Sequence, residues 1–425
     1  MLKKKACACA VASAFLMFAA VRDAGASAFA LYEQGISGLG NAYAGAAAVA
    51  EDATTVWWNP AGMSWLSPGI HATGAAAFID PSYKFSNGSS VAAAGRPLGD
   101  NGGDAGHSVV LPSVFFAMDL GPKWNVGFVI NAPFGLKTQY DDTWLGRFQG
   151  IKSEVKTVNF NPSVSYRINE ALSVAGGVSY WRGEIDLVQA VNLFPAPAEA
   201  QNHTNVDGDA WGFNLGLLAK VGPQTKLGVS YRSAVDFKLD GDTSFTAPAP
   251  AALNSNVKLD VKTPDSLAFS AAHRLSDQLE LLGDVTWTHW SKINQLPLIR
   301  TSGPFSGSTL DTLVLDFKDT WRFSAGVNYR LSGPLTLKFG VAYDQSPVRG
   351  ADTRTVRLPD SDRYWLSAGL KYTVSKSGVL DVGYSYVNFK DADINNNQAA
   401  LGRGIVNGSY KASANVLGIQ YQHTF

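Results

Sequence analysis

Arg322-Phe-Ser-Ala-Gly-Val-Asn-Tyr-Arg-Leu331 alternates residue by residue. Phe323, Ala325, Val327, Tyr329 and Leu331 share one face, while Arg322, Ser324, Gly326, Asn328 and Arg330 share the other. A period of two belongs to an extended strand, whose successive side chains point to opposite sides of a sheet. One face is apolar enough for hydrocarbon and the other polar enough for water, which is the apolar-out, polar-in pattern of a porin-type wall. The same alternation places Leu335, Leu337, Phe339, Val341 and Tyr343 together, and likewise Leu227, Val229 and Tyr231, and Leu366, Ala368, Leu370 and Tyr372.

Working outward, segments of this kind fall at 69–86, 107–120, 123–135, 152–168, 171–190, 206–221, 224–240, 257–274, 277–299, 312–331, 334–346, 361–374, 377–392 and 409–425. Their number, fourteen, is even, as a closed antiparallel barrel with both chain ends on one side requires. Short turns such as Gly121-Pro122-Lys123, Gly222-Pro223-Gln224, Gly333-Pro334 and Ser375-Lys-Ser-Gly378 occupy alternate junctions. Longer stretches rich in Gly, Asn, Ala and Pro at 87–106, 191–205, 241–256, 300–310 and 393–408 occupy the others. Short periplasmic turns facing long outer loops produce this asymmetry.

The N-terminus explains how such a wall would reach a membrane. Lys3-Lys4-Lys5, an apolar run from Ala6 to Val21 and Ala24-Gly25-Ala26 make residues 1–26 a bacterial export signal, with the mature chain starting at Ser27. Cys7 and Cys9 lie in the signal, so the mature chain carries no thiol. Losing Lys3, Lys4, Lys5, Arg22 and Asp23 takes the 35 basic and 35 acidic residues to 31 and 34, a net charge of about −3 that does not suit nucleic acid as a partner. No later apolar run approaches the ~18 residues of a transmembrane helix. An exported chain that meets lipid without one must pair its backbone by closing a sheet. A soluble β-sandwich shares the alternation but does not account for the Tyr- and Trp-rich strand ends. The fold class expected is therefore an all-β transmembrane barrel of fourteen antiparallel strands, bacterial and outer-membrane.

Residues 27–66 do not fit that wall. Gly35-Ile-Ser-Gly-Leu-Gly-Asn-Ala-Tyr-Ala-Gly45, running on to Glu51-Asp-Ala-Thr-Thr-Val-Trp-Trp-Asn-Pro-Ala-Gly62, is glycine-rich and lacks the period of two. The composition changes near Ser67, dividing a small N-terminal plug from a barrel at 67–425 that could enclose it.

Ser37-Gly-Leu-Gly-Asn-Ala-Tyr-Ala-Gly45 with Glu51-Asp-Ala and Asn59-Pro-Ala61, together with Pro359-Asp-Ser-Asp-Arg-Tyr-Trp-Leu-Ser-Ala-Gly369 and Phe317-Lys-Asp-Thr-Trp-Arg322, resemble the FadL family of outer-membrane long-chain fatty-acid transporters. That family includes relatives that move aromatic hydrocarbons. The resemblance implies that the N-terminal segment is a hatch inside the barrel, with Asn59, Pro60 and Ala61 as its signature. It also implies that a hydrophobic ligand binds beside the hatch and leaves sideways at a kink in the third strand, matching Asn131, Pro133, Phe134 and Gly135. Pro133 lacks a backbone donor and Gly135 tolerates unusual dihedrals, so the ladder should fail there, although a strand simply ending at Ala132 remains open. By the same resemblance Lys318 contacts a ligand carboxylate and Phe29 reaches the pocket. The family's second cation falls at Glu184 here, and Arg182, two residues earlier on the same face, offers a replacement.

The six histidines are scattered without zinc spacing, and no Gly-x-Ser-x-Gly elbow is present. No enzymatic activity and no cofactor or metal are expected. The function expected is uptake of hydrophobic compounds, foremost long-chain fatty acids; neutral aromatic hydrocarbons, a general porin and a surface receptor or adhesin are the alternatives. Expected partners are the hydrophobic ligand, outer-membrane lipid and lipopolysaccharide, and the barrel assembly machinery, which would receive the final strand ending in Phe425. The protein is expected to act as a monomer.

Overall fold

The computed structural model describes residues 28–425, so the export signal read at 1–26 lies outside the described residues. Fourteen antiparallel strands close into a barrel. They are β1 (Ile70–Asn87), β2 (Val109–Asp119), β3 (Trp124–Asn131 and Gly135–Gln139), β4 (Lys152–Arg167), β5 (Leu172–Asn192), β6 (Glu199–Lys220) and β7 (Thr225–Arg232 and Asp236–Phe245). There follow β8 (Ser255–Lys262 and Ser266–Arg274), β9 (Leu279–Thr288 and Gln295–Arg300), β10 (Thr309–Val314 and Thr320–Ser332), β11 (Leu335–Asp344), β12 (Arg363–Thr373), β13 (Gly378–Phe389 and Ala392–Asn397) and β14 (Ile405–Thr424). Each strand pairs with its neighbour, and β1 against β14 closes the ring from His71↔Thr424 to Asn87↔Gly408. Closure leaves no exposed edge, which is the condition for a sheet in hydrocarbon. Among the described residues no helix is long and apolar enough to cross a membrane.

The alternation sorts as its chemistry demands. On β10, Phe323, Tyr329 and Leu331 are exposed on the outer surface while Arg322, Ser324 and Asn328 are buried toward the lumen. Aromatic pairs mark both ends of the apolar band: Phe160, Tyr180 and Trp211 at one, with ring centroids 6.2 and 5.1 Å apart, and Trp124 with Tyr166 at 4.6 Å near the other. Such girdles suit the amphipathic headgroup region.

Two loop expectations need correction. The stretch 191–205 is largely strand and 241–256 is strand at both ends, because the β5–β6 ladder continues to Asn192↔Glu199 and the β7–β8 ladder to Thr243↔Ser255. Where strands rise beyond lipid, both faces can meet water, so polar composition no longer distinguishes loop from strand. The segments 140–151 and 347–358, not singled out in the sequence, instead fold inward. Trp144 is fully buried, stacks on Tyr140 at 3.9 Å and donates Nε1–H to the Gly150 carbonyl at 2.8 Å.

Residues 28–66 fill the lumen as short helical turns, Leu39–Asn41, Ala46–Val49, Thr55–Trp58 and Pro60–Trp65. They approach the wall where it has no side chain. A Cβ on Gly340 would lie 2.1 Å from the Asn41 carbonyl carbon, and one on Gly228 would lie 1.9 Å from the Ala47 oxygen. Similar close approaches join Leu39 to Gly383, Ile36 to Gly418 and Asn59 to Gly216, so the contacts run round the ring. Charge fastens the same segment: the buried Lys338 Nζ lies 2.7 Å from Glu51 and 3.3 Å from Asp381, and Lys371 lies 2.8 Å from Glu51. Burial alone would raise the Glu51 carboxyl, but the two ammonium groups overcome it and hold the carboxyl well below the usual carboxylate range.

Candidate functional site

The wall is interrupted on β3. Its pairing with β2 stops at Val114↔Ile130, and the second piece pairs only with β4, from Gly135↔Lys156 to Gln139↔Lys152. Between the pieces lie Ala132, Pro133 and Phe134, where proline supplies no donor to a ladder. The backbone groups freed there are taken up largely by the inner segment. Leu31 N–H donates to the Pro133 carbonyl at 2.8 Å, Gly135 N–H donates to the Phe29 carbonyl at 2.8 Å, and Gln34 Nε2 donates to the Ala132 carbonyl at 3.0 Å. Phe134 N–H donates to Thr157 Oγ1 at 3.0 Å. Residues 29–31 thus lie along the break like a fragment of extra strand, and buried backbone groups stay paired.

Gly135 is present for space rather than for unusual dihedrals, a correction to the sequence expectation. Its φ is not positive, and a Cβ there would come within 2.9 Å of Leu31 Cδ1.

Behind the break is an aromatic cluster. Phe134 lies 5.6 Å from Phe29 and 5.7 Å from Trp181, Phe29 lies 4.9 Å from Trp290, and Trp290 lies 5.9 Å from Phe317. Next to it a cavity of about 120 Å³ separates the inner segment from β7, β8 and β9, with Tyr32, Trp57, Phe134, Trp181, Arg232 and Asp284 in its lining. Asp284 is held by the hydroxyls of Ser270 and Thr286. Arg232 packs its guanidinium 3.4 Å from the centroid of the Trp57 ring and donates Nη2–H to the Trp57 carbonyl at 2.8 Å. The chemistry is that of a receptor for an apolar body with one cation at hand.

The structure brings Phe29, Pro133, Phe134 and Gly135 together at this place. Asn131 is buried and its Oδ1 accepts from Asn159 Nδ2 at 2.8 Å, which ties the end of the first β3 piece to β4. Asn59 caps the Pro60–Trp65 turn by accepting from Ala61 N–H, and its Nδ2 donates to Ala47 and Leu217 carbonyls at 2.7 and 2.9 Å. Asn59-Pro60-Ala61 therefore joins two parts of the inner segment to β6. Lys318 lies in the break between the two pieces of β10, half-buried beside Phe317. Its ammonium makes no hydrogen bond or ion pair among the described residues. Asp316 pairs with Arg349 and Asp319 accepts from Ser291 N–H instead.

Arg182 is not at the site. It shares the outer face of β5 with Val178 and Tyr180, is 61% exposed, and pairs with Asp207 of β6 at 2.6 Å. Alternation forces this: Trp181 points into the lumen, so Arg182 points out, and Glu184 with it. The residues that sequence reasoning missed are Trp57, Trp181 and Arg232. Arg232 was accessible by parity, since Leu227, Val229 and Tyr231 form the outward face of β7.

Residues 17–425 match the family described as Outer membrane protein transport protein (OMPP1/FadL/TodX). The chain belongs to this family. A long-chain fatty acid transport protein of Salmonella typhi is 31% identical over 402 residues, covering 88% of this chain and 90% of that protein. The crystal structure of a Pseudomonas aeruginosa FadL homologue superposes with a TM-score of 0.85 at 24% identity, covering 93% of this chain and 99% of the other. The Ralstonia pickettii toluene transporter TbuX superposes with a TM-score of 0.68 at 18% identity, covering 93% and all of the other chain. This FadL-family barrel is an outer-membrane transporter of hydrophobic compounds.

Proposed function

We propose that the protein takes up long-chain fatty acids, which bind in the lumen cavity, shift residues 27–66 as a hatch, and leave sideways into the membrane at the β3 break. The observation that carries this is the aromatic cavity abutting an interruption of the wall, with Phe134 common to both. A water-filled route would need a polar lining, whereas an acyl chain passing from this cavity through the gap stays in apolar contact. The fatty-acid reading is favoured over neutral aromatics by Arg232 in the lining and by the unpaired Lys318 beside Phe317, a group we propose meets the carboxylate on its way in. The similarity to a fatty acid transport protein supports the same choice. No step needs a catalytic residue, and gradient and binding energy supply direction and motion. Lipid and lipopolysaccharide would contact the outward apolar face, and the assembly machinery would read the strand ending in Phe425 of a monomer.

Uptake of radiolabelled oleate into cells lacking their own transporter tests this. The wild-type chain should restore uptake, and deletion of Ala132 and Pro133, an even number that preserves side-chain alternation, should abolish most of it. Lys318→Ala should slow oleate uptake and leave toluene uptake unchanged. Full oleate uptake by the deletion variant would remove the lateral exit, and toluene uptake without oleate uptake would replace the substrate.

A further inference from the structure

Arg232 is the one cation in the lining of the lumen cavity, and among the described residues it has no carboxylate partner. Some other lumen cations are matched by carboxylates. Lys338 is matched by Glu51 and Asp381, and Arg363 by Asp344 and Asp360. Arg322, which makes no ion pair among the described residues, lies against the Tyr32 and Trp365 rings, outside the cavity lining. A guanidinium has five donors. On Arg232 one Nη2–H is given to the Trp57 carbonyl, and Nη1 reaches Asn161 Oδ1 only at 3.5 Å. A desolvated cation without an anion is costly, and a carboxylate is the group whose two oxygens match its fork.

The position within the cavity also favours an anion. Arg232 is in register with Ser266 of β8, which is in register with Thr288 of β9. Asp284, the only carboxylate in the lining, is four residues from Thr288, about 13 Å along the strand direction. A head group at Arg232 therefore avoids the fixed negative charge and leaves the tail to the rings of Trp57, Phe134 and Trp181.

We propose that Arg232 binds the carboxylate of the ligand in the lumen cavity, and that this binding draws its guanidinium off Trp57 and so loosens the hatch. The proposal rests on the fatty-acid reading above and names the residue that reads the charge. Trp57 belongs to the Thr55–Trp58 turn and lies two residues before Asn59, which holds Ala47 and Leu217. The cation thus touches the hatch where the hatch is pinned to the wall. A neutral ligand of the same shape would fill the cavity without competing for the guanidinium, and so would bind without releasing the turn.

The test uses the full mature chain in detergent micelles, titrated with oleate and with uncharged oleyl alcohol. Wild type, Arg232→Met and Arg232→Lys are compared, with folding checked by heat-modifiable gel migration. Arg232→Met should lose roughly tenfold or more in oleate affinity while oleyl alcohol is affected far less, and Arg232→Lys should keep the preference for oleate. In wild type, hydrogen exchange across residues 54–60 should rise with oleate and not with the alcohol. Equal losses for both ligands, no loss for either, or an exchange response that ignores head-group charge would overturn the assignment while leaving transport standing. If Arg232→Met does not fold, loss of the oleate preference in Arg232→Lys overturns it. A wild-type chain that binds neither ligand would overturn the transport reading as well.

Discussion

Glu33 of the inner segment is buried, and its Oε2 has no hydrogen-bond partner among the described residues. Burial pushes its carboxyl up from 4.5 to about 7, against the pull of Arg363 and Arg322. The consequence for stability follows from linkage. Below the unfolded value both states are protonated and there is no penalty. As pH rises through 4.5 to about 7 the unfolded chain ionises first, so the folded segment loses stability, and above about 7 the loss levels off at about 3 kcal/mol. Hydrogen exchange of residues 28–66 should therefore be faster at pH 8 than at pH 5 beyond its intrinsic dependence, and Glu33→Gln should remove the excess. The same excess in Glu33→Gln would show that another group titrates. Residue-level inference from sequence fared unevenly for a related reason. Parity alone places Arg182 outside and Arg232 inside, but only a full register shows that the cation lining the cavity lacks an anion.

At the level of elements, two features carry the architecture. The β3 break uses Pro133 to end one ladder and residues 29–31 to pair what remains, and the lumen-facing glycines let helical turns lie directly on the wall. Proline at 133 was legible as a ladder failure, because the missing N–H is a property of the residue. The partner that repairs the failure was not, because Phe29 and Leu31 lie about a hundred positions away in sequence. A glycine at 216, 228 or 340 by itself only weakens a strand, and the inner segment shows why a side chain there is excluded. Gly340→Ala should displace Asn41 and raise conductance in planar bilayers. Gly283→Ala, whose Cβ would meet nothing within 4 Å, should leave it unchanged. Equal conductance for the two variants would argue against a tightly seated hatch.

For the whole molecule, the contents of the lumen decide what passes. Deleting residues 27–66 should convert a closed barrel into a conducting one, since it removes the segment packed against Gly228, Gly340 and Gly383 and leaves Lys338 and Asp381 facing water. Single-channel conductance unchanged by the deletion would mean that the inner segment is not the barrier. The sequence by itself determined the wall: strand alternation, an even strand count and aromatic ends are local properties, and hydrocarbon permits few ways to satisfy them other than closure. It also showed that residues 35–62 could not be part of that wall. Only the tertiary structure decided where the inner segment touches, which break it repairs and which cation the cavity leaves unpaired. Those are distances between residues far apart in the chain, set by barrel register, and no local pattern carries them.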